Sequence, residues 1–522
     1  MRFPSALFGG LCAAALVACV ASSREADTTP PTPPGSGFSP PPPAASSGEG
    51  GAPDGGASSP DAAPSPRPPP GPRTVFTHLF EWKWNDIARE CEDVLGPAGY
   101  AAVQISPPQE HAELPSHPWW ERYQPVSYQL ESRGGTRAEL ASMIARCKRA
   151  GVDIYVDAVL NHMSFVQQGV GSAGSTFSRK SYPGIYGPNH FHGCERPIQN
   201  WGSRDEIFHC ELATLPDLDT AQEHVRTTLA AYLQDLVDLG VSGIRVDAAK
   251  HISPVDLSAI LGKVRGPLYV YQEVLDDDGR GVVTSAEYQA TGDVTEVRYG
   301  AELSRVLRAG KLAWLETFGP AWGLLPPTSG VAFIDNHDNQ RGHGSGNPLT
   351  FKERPLYELG LIFMLAWPYG YPQIMSSYAF TDGNQGPPAE GPRSAGSTAS
   401  TCAPGWICEH RWPSALGMVG FRNAADSAPS VTDFWTDGDQ RIAFGRGARG
   451  FVVINRATTA LRRSFRTSMA PGTYCDVVKG PKLINGACAG TAVSVRADGS
   501  FEAEVPALSA VAIHALAPAP TP

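Results

Sequence analysis

The chain has 522 residues, 42% of them hydrophobic, and a formal net charge of -10. That length buries a sizeable core in two or three domains, one of which could be an α/β barrel of over about two hundred residues. Lys and Arg are scattered, which excludes the basic stripe that nucleic-acid binding needs and argues against an anionic polymer as substrate.

The chain opens on a basic Arg2 and an apolar run from Ala6 to Ala18, too short to span a bilayer, so residues 1–19 read as an export signal. Its end, Leu16-Val17-Ala18-Cys19, resembles the lipobox of bacterial lipoproteins, in which the cysteine sulfur carries a lipid. An ordinary signal peptide cut at an Ala is the alternative. The two place the exported protein at the cell envelope or free outside the cell. Residues 20–73 are dominated by Pro, Gly, Ser and Ala, cannot bury enough surface to offset their ordering entropy, and read as a disordered tether. Cys12 and Cys19 fall in the signal and eight cysteines remain, an even number that suits disulfides in an oxidising compartment. No C-x-x-C pair with zinc spacing occurs among them.

Order is expected from Thr74. Val75 to Phe80 reads as a buried strand, Asn85 to Leu95 as a helix, and Ala101 to Ile105 as the next strand. Thr136-x-x-Glu139 forms a capping box before a helical repeat of Leu140, Met143, Ile144 and Cys147 that Gly151 stops. Strand Ile154 to Val156 follows. The same pattern returns at Thr220-x-x-Glu223, with Val225, Leu229, Leu233, Leu236 and Val237 on one face, then strand Val241 to Val246. Further strands are expected at Leu268 to Gln272, Val294 to Val297, Val331 to Ile334 and Gln373 to Ser376. Eight strands separated by helices imply an α/β fold closed into a (β/α)8 TIM barrel over residues 74–160 and 218–422. The Gly-, Ser-, His- and aromatic-rich stretch 161–217 is too long for a simple loop and reads as an inserted B domain. Short alternating segments over 423–517 suggest a C-terminal all-β sandwich.

Asp247 ends Gly243-Ile244-Arg245-Val246-Asp247 and Glu273 ends Tyr269 to Glu273, so neighbouring strands bring two carboxylates to one rim. Glycoside hydrolysis requires that layout, with a retaining pair roughly 5–5.5 Å apart. Arg245 lies two residues before Asp247 on the same strand face, and a cation there is expected to keep the carboxylate ionised. Asp338 follows Asp335-Asn336-His337 at a later strand end. Trp119, Trp120 and Tyr123 supply flat faces on which sugars stack, and His162, Lys250 and His251 stand at other strand ends.

Four segments resemble the signature regions of the α-amylase family of glycoside hydrolases: Asp157-Ala158-Val159-Leu160-Asn161-His162, Gly243 to His251, Glu273-Val274, and Phe333-Ile334-Asp335-Asn336-His337-Asp338. The likeness runs from about Val75 to Leu516, and Phe80-Glu81-Trp82, Trp119 to Gln124 and Cys408 to Trp412 resemble the animal-type branch. The resemblance implies a starch-type α-glucan as substrate, Asp247 as nucleophile, Glu273 as general acid and base, Asp338 as stabiliser, and Arg245 orienting Asp247. Trp119, Trp120, Tyr123, Gln124, His162, Lys250, His251 and His337 would be subsite ligands. It implies structural calcium on the Asn161 side chain, the Phe208 and His251 main-chain oxygens and the Asp217 carboxylate, all hard oxygen donors. It places a chloride site at Arg245, Asn336 and Gln373, where a neutral amide at 373 supplies less positive potential and predicts weak or absent chloride activation. The implied bridges are Cys91–Cys147, Cys194–Cys210, Cys402–Cys408 and Cys475–Cys488. A monomer is expected, with a membrane engaged only through a lipid on Cys19. A transglycosylase would use the same acids, whereas a non-catalytic glucan-binding protein would have lost one of the three.

Overall fold

The computed structural model describes residues 74–520 apart from 277–279, 345, 399 and 484; the signal, Cys19 and the 20–73 tether lie outside the described residues. Eight parallel strands close a barrel: β1 (Phe76–Leu79), β2 (Ala102–Ile105), β3 (Asp153–Val159), β4 (Gly243–Asp247), β5 (Tyr269–Gln272), β6 (Asp293–Glu296), β7 (Gly330–Ala332) and β8 (Tyr371–Ser376). Almost every strand residue is buried, because helices cover the outside while side chains fill the inside. The lower interior is packed with Phe76, Tyr155, Tyr269, Tyr271 and Tyr371.

The helices follow the sequence signals with two departures. Thr136 and Glu139 form the expected capping box, and α2 (Arg137–Arg149) buries Leu140, Met143, Ile144 and Cys147 against the barrel. The second box does not form. Helix α3 (Glu223–Asp238) begins after Gln222 without a side-chain cap. Thr220 instead donates its hydroxyl to Asp256 Oδ2 at 3.2 Å, a bond to the start of α4 (Pro254–Leu261) that the local pattern cannot reveal. The first helix, α1 (Trp84–Glu90), widens into a π-helical turn over Cys91–Leu95. Val297 opens α5 (Val297–Ala309) rather than closing β6. Two later helices, α6 (Arg354–Ala366) and α7 (Pro413–Ala425), complete the outer layer described here.

Between β3 and α3 the chain makes a small hairpin, Gln168–Val170 against Thr176–Ser178, and pairs Cys194–Pro197 with Cys210–Glu211. After α7 come a four-stranded antiparallel sheet and two two-stranded sheets. Phe451, Val453, Phe465, Phe501, Val505 and Ile513 from these sheets share one core. Disulfides join Cys91 to Cys147, Cys194 to Cys210, Cys402 to Cys408 and Cys475 to Cys488.

Candidate active site

Strand register brings the acids together. The β4–β5 ladder pairs Val246 with Gln272, so Asp247 and Glu273 leave adjacent strands at one level of the barrel's C-terminal rim. The β3–β4 ladder sets Asp157 opposite Arg245. The Arg245 guanidinium, 4% exposed, is then surrounded by carboxylates. Its Nη1 donates to Asp157 Oδ1 at 2.6 Å and to Asp247 Oδ1 at 3.0 Å, and Nη2 lies 2.8 Å from Glu273 Oε1. One planar fork therefore aligns both rim acids. The other Glu273 oxygen accepts the Ala248 backbone N–H at 2.9 Å. Ala248 holds a left-handed φ of +50°, a conformation rare outside glycine, and this strained turn directs its N–H at Glu273.

Asp338 arrives from the turn after β7. Asn336 folds that turn by accepting the Asp338 and Asn339 N–H groups at 3.0 and 2.8 Å. His337 Nε2 lies 3.2 Å from Asp338 Oδ2, and its ring stacks on Tyr123 and Phe80 at centroid distances of 5.4 and 5.0 Å. Burial and coulombic effects of Arg245, His78 and Arg341 hold His337 well below the usual imidazole value, so it is neutral.

The expectation that Arg245 keeps Asp247 ionised needs correction. Burial pushes the Asp247 carboxyl well above its ordinary value; Arg245 opposes this, but Glu273, Asp157 and Asp338 reinforce it. Burial and repulsion from Glu273 raise Asp338 to about 7, against the pull of Arg245. One guanidinium faces four carboxyl groups, and the free site retains protons because the imbalance is buried.

Other expected site residues divide between cleft and wall. Trp120 is half-buried beside Phe165, its Nε1 donating to Asn384 Oδ1 at 3.1 Å. Trp119 is not an open platform: it is buried, donates to the Gly383 carbonyl at 2.8 Å, and meets the edges of Tyr123 and His337. Tyr123 donates its hydroxyl to Asp157 Oδ2 at 2.8 Å. Gln124 is turned inward, accepting the Phe165 N–H at 3.0 Å, and so anchors the segment after β3 instead of reaching into the cleft. His162 likewise faces the wall, with Nε2 3.2 Å from the Tyr123 carbonyl oxygen. Lys250 is half-buried, donates to the Leu275 carbonyl, and lies 5.7 Å from the centre of the Trp201 ring.

A cation fits beside this rim. Asn161 and Asp217 are both buried, and Asn161 Nδ2 donates to Asp217 Oδ1 at 3.0 Å. His251 Nδ1 contacts the Ile207 carbonyl oxygen at 3.1 Å, drawing the main chain of 251 to the end of the short helix Arg204–His209 that contains Phe208. Carbonyls in a helix's last turn have no intrahelical partner and favour positive charge. Burial raises Asp217 to about 7 even with His192 Nδ1 at 2.6 Å, so this carboxylate lacks a full countercharge. Among the described residues no three His, Cys, Asp or Glu side chains gather for a metal, and an ion here would draw on amide and main-chain oxygens.

The anion trio fits less well. Gln373 donates its amide to Gln104 Oε1, Asn336 is occupied in its turn, and Arg245 already answers three carboxylates. Asp157 is the member of the site that local reading missed; only strand register shows that it faces Arg245.

Residues 115–263 match the family model described as the α-amylase catalytic domain, and residues 435–515 match that of the α-amylase C-terminal all-β domain. An α-amylase of Phaedon cochleariae is 47% identical over 445 residues, spanning 82% of this chain and 90% of that protein. An α-amylase of Streptomyces violaceus is 44% identical over 453 residues, spanning 87% of this chain and 76% of that one. The crystal structure of a mutant α-amylase I of Eisenia fetida in complex with maltohexaose has a TM-score of 0.79 and 41% identity, covering 85% of this chain and 97% of the other.

Proposed function

The chain belongs to the α-amylase family, and from that premise we propose that it hydrolyses internal α-1,4 bonds of starch-type glucans with retention of configuration. The observation that carries this reading is the sharing of the Arg245 guanidinium by Asp247 and Glu273 on neighbouring strand ends. A retaining mechanism needs a close pair, roughly 5–5.5 Å apart, in which one group attacks and the other transfers a proton.

In the reacting complex the proton held among the rim acids sits on Glu273, so that Asp247, as a carboxylate beside Arg245, attacks the anomeric carbon while Glu273 gives that proton to the departing glycosidic oxygen. Glu273, then a carboxylate, takes a proton from water as that water displaces Asp247 from the sugar. Arg245 steadies the charge on Asp247, and Asp338 with neutral His337 holds the reacting ring. Trp120 offers a face for a neighbouring glucose unit, with Tyr123 and Lys250 as further subsite ligands. The maltohexaose bound by the Eisenia fetida relative supports an extended glucan chain as ligand.

Asn161, Asp217 and the main-chain oxygens of Phe208 and His251 would hold calcium, which would fasten the 161–217 insertion to the barrel. Chloride contributes little, because Gln373 spends its amide on Gln104. The protein is exported as a monomer and stands either free or tethered through a lipid on Cys19. A mass spectrum of the native N-terminus separates those two states.

Soluble starch and the residue 74–522 body test the reading, with viscosity followed beside reducing ends. Early viscosity collapse that disappears in Asp247→Asn supports internal cleavage through this site. Unchanged viscosity with a folded, calcium-supplied sample refutes it.

A further inference from the structure

Between the rim acids and the aromatic side chains that fill the lower barrel lie two glutamines that the reaction above does not use. Gln104 on β2 and Gln373 on β8 flank β1, and both are buried. Gln373 donates its amide to Gln104 Oε1, and Tyr271 on β5 donates its hydroxyl to the same oxygen at 2.7 Å. Gln104 Nε2 in turn donates to Asp157 Oδ2 at 3.2 Å. The other oxygen of Asp157 accepts from Arg245 Nη1 at 2.6 Å, and that guanidinium holds Asp247 and Glu273. Polar contacts thus run without a gap from β8 through β2 and β3 to the two reacting acids.

The direction of this chain is fixed. A side-chain amide has one acceptor end and one donor end, and two donors claim the Gln104 oxygen, so its NH2 faces Asp157. Turning the amide over would set oxygen against oxygen at Asp157 and donor against donor at Gln373. Asp157 meets only donors: Arg245 on one oxygen, Gln104 and Tyr123 on the other, the last at 2.8 Å. It therefore stands as a carboxylate, although burial raises it. With one oxygen gripped by two neutral donors, the other points in a set direction, and Arg245 takes its place from it. A displacement of about 1 Å at reacting groups can cost about a hundredfold in rate, so the placing of this guanidinium matters.

We propose that Gln104, oriented by Gln373 and Tyr271, is a positioning residue for the reaction: it fixes Asp157, and through Asp157 the Arg245 fork on which attack and proton transfer are aligned. The inference deepens the reading given above and rests on Asp247 and Glu273 reacting at this rim. Tyr123 keeps its hold on Asp157 when Gln104 is lost, so turnover should fall moderately and not vanish. Gln373 acts one bond further back, and Tyr271 still holds the Gln104 oxygen without it, so its effect is smaller. Both amides are buried, and substrate binding should change little.

Steady-state kinetics on a malto-oligosaccharide, beside melting temperatures, test this in the whole protein carrying Gln104→Met, Gln373→Met, both together, or Gln104→Glu. Gln104→Met should lower kcat about tenfold and Gln373→Met about threefold, each with KM within about twofold of wild type. The double variant should be no slower than Gln104→Met, because Gln373 acts only through Gln104. Losses that multiply to about thirtyfold are those of two independent packing defects and overturn the chain. Gln104→Glu introduces a carboxyl that burial and the facing Asp157 keep protonated; its O–H replaces the lost donor and its carbonyl the lost acceptor. At about pH 5 it should restore kcat to within about threefold of wild type. A folded Gln104→Met with wild-type kcat, a loss confined to KM, or a Gln104→Glu no faster than Gln104→Met each overturns the proposal. Where Gln104→Met does not fold, an unchanged kcat in Gln373→Met overturns it alone. Asp247→Asn separates this from the underlying reading: wild-type kcat in that variant removes the rim acids from the reaction, whatever the glutamine variants show.

Discussion

Two buried ion clusters in this molecule use the same groups in opposite proportions. Around Glu90, one carboxylate meets Arg411 Nε at 2.6 Å, Arg393 Nη1 at 2.6 Å and His410 Nε2 at 2.9 Å. Burial opposes its charge, yet hydrogen bonds from His410 and Arg411 hold Glu90 down at about 2. Burial keeps His410 below its ordinary value, so the countercharge comes from the arginines. Around Arg245, one cation meets Asp157, Asp247 and Glu273, with Asp338 nearby, and burial raises Asp157, Asp247 and Asp338. The first cluster ties α1 to the segment after β8 and is electrically settled. The second is held short of positive charge, which leaves acid groups able to take up and release protons.

That contrast breaks most sharply under substitution. Asp247→Asn should lower kcat by about four orders of magnitude or more while the melting temperature stays near wild type, since it removes a reacting group and relieves a charge excess. Arg411→Met should do the reverse. Removing one partner of a buried pair costs about 3–5 kcal/mol, so unfolding should move to much lower denaturant while kcat per folded molecule holds. If both variants lose stability and activity together, the division between the clusters is wrong.

Chelation should come next in size. Calcium held at the proposed site, present at about a thousandfold over its dissociation constant, would stabilise by about 4 kcal/mol, so a chelator should lower the melting temperature and expose the 161–217 insertion to protease. Acid sharpens the comparison further. Glu90 has a folded value of about 2 against 4.5 for the free side chain, so its contribution is complete above the unfolded value and is lost as pH falls toward 2. Calorimetry should find that Arg411→Met removes part of the acid-dependent loss of stability in that window. The smallest effect expected is that of chloride, with less than about a twofold change in kcat on addition to a chloride-free sample, because the amide of Gln373 offers no full charge.

Much of this was readable without coordinates. All eight barrel strands are buried on both faces, so their apolar runs survive in the sequence, and Asp247 and Glu273 stand at strand ends where chemistry belongs on this fold. Side-chain direction was not readable. Gln124 and Trp119 sit in a loop whose course is fixed by Phe165 and Gly383, and no periodicity reports such contacts. The ionisation of Asp247 was misjudged because Arg245, two residues away, is visible locally, whereas Asp157, Glu273 and Asp338 converge from three other strands. Thr220 failed as a cap for a similar reason, its hydroxyl being claimed by Asp256. The Glu90–Arg411 pair spans 321 positions and has no local trace.

The central claim is that the two rim acids aligned by Arg245 divide attack and proton transfer between them. A maltosyl fluoride bearing fluorine beside its anomeric carbon should slow turnover of the sugar ester enough for peptide mass spectrometry. The account predicts one maltosyl adduct, on the peptide containing Asp247, with none on that residue in Asp247→Asn. Products formed with inverted anomeric configuration and no adduct, or an adduct on Glu273 or Asp338, would contradict it.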